Sequence, residues 1–157
     1  MFTTRAAFFP ALLALGITAS VPFTLAVSVD GKKLDARGTG ECKHAPMAAI
    51  YGVRSAMWRA EFRGDGRSDV RYATLTMWHP MSGNAPDQMN FSLSTRQGKY
   101  SIQTVKSAPE QSGSGTIVFE KAGAGGRFVV KGKTAEGQTV DATFTCERIT
   151  PLEAVGG

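Results

Sequence analysis

Two short segments of this chain combine imidazole with thioether sulfur: His44-Ala45-Pro46-Met47 and Met77-Trp78-His79-Pro80-Met81, with Met89 following soon after. Both groups are copper ligands, and the soft thioether favours Cu(I). A copper site would therefore be built from His44, Met47, His79 and Met81, provided the fold brings the two segments together. The competing reading, preferred here, is that methionines fill irregular gaps in a core while the histidines sit on the surface.

Other chemistries fit less well. Serine hydrolysis needs a nucleophile, a base and an orienting acid. The run Ser112-Gly113-Ser114-Gly115-Thr116 lacks the nucleophile-elbow spacing, and only His44 and His79 can serve as base. Gly132-Lys133-Thr134 ends like a phosphate loop but has Arg127 where that loop needs glycine, and Gly123-Ala124-Gly125-Gly126 leads into a strand pattern with Phe128 where a dinucleotide turn needs its third glycine. Glu61, Asp65 and Asp69 are the residue types of a glycosidase pair, yet they flank a turn and read as solvated charges. No catalytic residue is assigned, and a small envelope enzyme with an unassigned site stays as an alternative. Aromatic side chains offer flat amphipathic surfaces for a sugar or a protein. Trp58 falls on an inward row, which leaves Tyr51, Trp78 and the adjacent His79 as the candidate partner-contacting residues.

The elements that must position these residues read as strands. Val140, Ala142, Phe144 and Cys146 alternate with Thr139, Asp141, Thr143 and Thr145, so one face of this stretch is apolar and Cys146 points inward. Ala56, Trp58, Ala60 and Phe62 alternate with Met57, Arg59, Glu61 and Arg63 in the same way. Asp30-Gly31 predicts a type I′ hairpin, Gly64 to Ser68 a turn into a strand over 69–78, and Gln97-Gly98 a turn between strands over 88–95 and 100–105. Further strands are expected over 114–121 and 127–131, with loops over 79–87 and 106–113. Residues 43–55 are ambiguous between a helical turn after Pro46 and a loop. The fold class is all-β: an antiparallel sandwich or barrel of about eight short strands.

Arg5 followed by the apolar run from Ala6 to Ile17 reads as an export signal. Cleavage is expected after Ala26, with a cut after Ser20 as second choice and an uncleaved anchor as the alternative; the domain division is thus 1–26 signal and 27–157 a single exported β domain. Export implies an oxidising compartment, the periplasm or the exterior, in which Cys42 and Cys146, the two cysteines of the 157-residue chain, pair as a structural disulfide. The formal net charge of +5 is spread among carboxylates and forms no stripe suited to a phosphate backbone, so nucleic acid is not an expected partner. The sequence reading is a non-enzymatic exported domain that binds an envelope protein or polysaccharide, with periplasmic copper binding as the alternative.

Overall fold

The computed structural model describes residues 22–105 and 112–153. Eleven strands and no helix occupy these residues: β1 (Phe23–Val29), β2 (Lys32–Leu34), β3 (Gly38–Ile50), β4 (Val53–Gly64), β5 (Val70–Pro80), β6 (Gln88–Thr95), β7 (Lys99–Gln103), β8 (Ser114–Ala122), β9 (Gly125–Lys133), β10 (Thr139–Cys146) and β11 (Thr150–Pro151). They form two sheets, β2-β1-β10-β9-β8 and β11-β3-β4-β5-β6-β7. Every pairing is antiparallel except the two-residue parallel contact of β11 with β3. The expected loop at 106–113 lies largely outside the described residues, as do residues 1–21 of the expected export signal.

The alternating rows account for the core. Val140, Ala142, Phe144 and Cys146 of β10 are all buried, and they face Ala60, Phe62, Ala73, Leu75, Phe91 and Leu93 of the other sheet. Phe144 meets Phe91 edge-on at 6.2 Å and Phe23 at 6.2 Å, while Phe23 stacks on Phe62 at 6.1 Å. Each fully buried side chain of this size contributes about 1.5–3 kcal/mol relative to exposure. Phe23 reaches Phe62 only because residue 40 is glycine: a Cβ there would stand 2.6 Å from the Phe23 ring. Cys42 of β3 and Cys146 of β10 form the expected disulfide, with Cα atoms 6.2 Å apart and a separation of 104 positions in sequence. The bond therefore joins one sheet to the other beside the Phe23 contact.

Two local expectations change. Residues 43–50 are neither helix nor loop; they continue β3, and a bulge between Ala45 and Ala48 absorbs Pro46, whose missing N–H and fixed φ suit an interrupted ladder. β5 runs on through His79 to Pro80, so the loop before β6 is shorter than expected. At the other end of the chain, Phe23 to Ala26 are the first four residues of β1, paired with Cys146 through Thr143, although they fall within the 1–26 segment.

Candidate functional site

The β3–β4 hairpin is built by continuous pairing from Gly38↔Gly64 to Ala45↔Met57, then, past the bulge, Ala48↔Ser55, Ala49↔Arg54 and Ile50↔Val53. The neighbouring strand β5 stops pairing at Ser55↔Pro80. Two further residues per strand carry the turn roughly 7 Å beyond that last shared rung. Tyr51 (φ 46°) and Gly52 (φ 80°) close the hairpin in the left-handed geometry of a type I′ turn. Glycine adopts such a φ freely; a tyrosine does so at a cost of about 1–2 kcal/mol, because its Cβ crowds the following carbonyl.

This tip gathers apolar surface. Among the described residues, the exposed large apolar side chains are Met47 (63%), Tyr51 (56%), Val53 (44%), Met81 (52%) and Val118 (51%), and all but Val118 belong to this end of the molecule. Met81 is tied to the hairpin by its N–H, which donates to the Arg54 carbonyl at 3.0 Å, and the Arg54 guanidinium lies 3.3 Å from the Met47 sulfur. Arg54 is the only formally charged side chain between Ala45 and Ala56. Behind the tip, Tyr51, Val53, Trp78, Pro80 and Val105 line a small pocket of about 30 Å³.

Tyr51 and Trp78, far apart in sequence, thus border one cavity. His79 is exposed and its Nδ1 is 2.6 Å from Asp87 Oδ1, which fixes the ring; no hydroxyl bonds its other nitrogen among the described residues. The four residues of the copper reading are divided. Met47 and Met81 share the tip, but His44 stacks on Trp58 at 4.5 Å, two strands and two residues of register from His79. That offset places their Cα atoms about 12 Å apart. Among the described residues no group of three His, Cys, Asp or Glu side chains is arranged to hold a metal.

The carboxylates that do face each other are Glu41 and Glu61, directly opposite across β3 and β4, with Lys43 opposite Arg59 two residues on. Like charges facing each other are destabilising unless other partners neutralise them. Lys43 supplies that for Glu41 at 2.9 Å and Arg59 for Glu61, so this surface is a paired-charge checkerboard rather than an acid–base couple. Val53 and Arg54 were not singled out from sequence; the Tyr51-Gly52 dipeptide, read as a hairpin turn, would have found them. Compared with protein-family models, curated proteins and solved structures, the chain matches none.

Proposed function

We propose that this protein is a non-enzymatic exported β domain that binds a protein or polysaccharide of the cell envelope through the tip of its β3–β4 hairpin. The observation that carries this reading is Tyr51: a large aromatic residue held in the left-handed region and left more than half exposed among Met47, Val53 and Met81. Backbone strain at an exposed aromatic has no stabilising role, and strained positions concentrate at binding sites. Contiguous apolar surface on a small domain marks interaction sites. Trp78 and His79 flank the same end and complete the contact surface.

The test compares tip variants with a control. Immobilised mature domain retains a specific envelope component; Tyr51→Asn combined with Met81→Ser loses retention without lowering the thermal midpoint, and Val118→Ser on β8 keeps retention. Equal retention by the tip variant, or equal loss with Val118→Ser, removes the reading.

Export is part of the proposal, and the inter-sheet disulfide is what an oxidising compartment permits. The packing of β1 favours the cut after Ser20 over the one after Ala26, since the later cut would remove Phe23, whose ring packs on Phe62 and Phe144, and Leu25, which is buried. N-terminal sequencing of the exported protein is expected to begin at Val21; a start at Val27 contradicts the earlier cut.

A further inference from the structure

A second concave surface lies partway along the hairpin, on residues other than those of the tip. His44, Trp58, Phe119, Lys121, Ile149 and Pro151 contribute to a groove of about 480 Å³, against about 290 and 240 Å³ for two other grooves among the described residues. This volume falls in the range of small-molecule sites. Its wall carries aromatic rings from both sheets: His44 stacks on Trp58 at 4.5 Å and Trp58 meets Phe119 at 5.4 Å, with the buried Phe128 stacked behind Phe119 at 4.6 Å.

The charges around it differ from those of the smaller grooves. One of those mixes Lys33 with Asp141, and the other mixes Glu41 and Glu61 with Arg63. The aromatic groove has Lys121 as its single formally charged lining residue and no carboxylate. The Lys121 ammonium makes no ion pair among the described residues, whereas Arg59, Arg127 and Lys43 all do. Burial also lowers the His44 pKa, which keeps its imidazole neutral and available as a hydrogen-bonding group on the wall.

We propose that this groove binds an apolar monocarboxylate, its hydrocarbon body against Trp58, Phe119 and Ile149 and its carboxylate on Lys121. An unpaired cation at the rim of an apolar cleft selects an anionic head on an apolar body, and a charge-assisted hydrogen bond is about twice as strong as a neutral one. The body is an acyl chain or an aryl ring, and the experiment separates the two.

In the Trp78→Phe protein Trp58 is the sole indole, so its fluorescence reports the groove. Decanoate and 2-naphthoate are titrated beside decanol and 2-naphthalenemethanol, with calorimetry on the wild-type protein as the check. At least one acid is expected to change Trp58 emission saturably and to bind roughly tenfold or more tightly than its alcohol. Lys121→Ala removes that advantage, and Ala124→Phe, which fills the groove from an exposed turn, abolishes binding of acid and alcohol alike. The tighter of the two acids identifies the body. Equal affinity of acids and alcohols, an unchanged preference in Lys121→Ala, or no saturable response overturns the proposal. Tyr51→Asn leaves groove binding intact, so failure of the hairpin-tip reading and failure of this one are separately visible.

Discussion

The turns after β1 and after β3 adopt one backbone geometry with opposite side-chain choices. Asp30 and Gly31 have φ of 49° and 78°; Tyr51 and Gly52 have 46° and 80°. Aspartate visits the left-handed region at little cost. Here it is also fastened: its N–H donates to the Thr139 carbonyl at 2.8 Å, and its carboxylate accepts the Thr139 N–H at 2.8 Å. That turn therefore ties the β1–β2 corner to the start of β10. The Tyr51 hydroxyl makes no hydrogen bond among the described residues, and its ring stands in solvent beside other apolar groups. One turn is chosen for folding, and the other retains a residue that folding disfavours.

Both turns hang on a common frame, and the largest expected effect concerns that frame. The β1–β2 hairpin belongs to one sheet and the β3–β4 hairpin to the other, with Cys42–Cys146 between them. Replacing both cysteines by serine removes a bridge across about 100 residues, which corresponds to about 4–5 kcal/mol on the chain-entropy account. Urea unfolding of the double variant should show a loss of this size; an unchanged midpoint would mean the sheets are held without the bridge.

Next in size is Asp30→Tyr, which imposes the left-handed penalty and leaves the Thr139 N–H without its acceptor. The sum is about 2–3 kcal/mol of destabilisation. Tyr51→Asn is the reciprocal change, and it should stabilise the protein by about 1 kcal/mol while weakening retention of the envelope component. If Tyr51→Asn destabilises instead, the ring is a packing partner of the Trp78 pocket and the contrast between the turns collapses.

How much of this was readable from sequence depends on the range over which each feature is determined. The β10 row, the row from Ala56 to Phe62 and the Asp30-Gly31 turn are local, and each appears where periodicity or turn chemistry places it. Residues 43–50 were not readable as strand, because Pro46 breaks the ladder and Ala48-Ala49-Ile50 has no alternation; the bulge that accommodates them is fixed by β4, not by β3 itself. β11 is a two-residue parallel contact with β3 and carries no pattern of its own. His44 and Met47 were singled out as possible ligands, yet three residues of register plus a bulge send them to different places: His44 to the aromatic groove and Met47 to the tip. The groove itself joins Trp58, Phe119 and Ile149 from three distant segments, and no local signal marks such a meeting.

The smallest effect expected is a pH dependence confined to one of the two hairpins. Burial against Trp58 lowers the pKa of His44 from its ordinary value of about 6.5. As the pH falls through that value the unfolded chain takes up the proton before the folded one does, so folding stability declines. The loss is absent above the unfolded pKa and complete below the folded one. It should appear first where His44 pairs, at Lys43, His44, Trp58 and Arg59 on the stem that carries the Tyr51 tip. Amide-exchange protection factors, corrected for intrinsic pH dependence, are expected to fall there between pH 7.5 and 5.5 and to hold at Ser28, Val29 and Lys32 beside the Asp30 turn. In His44→Gln the fall should vanish, since the half-buried imidazole that titrates is gone. A fall that persists in that variant, or that spreads equally to both hairpins, would assign the pH response to the whole fold and leave the β3–β4 stem no softer than its counterpart.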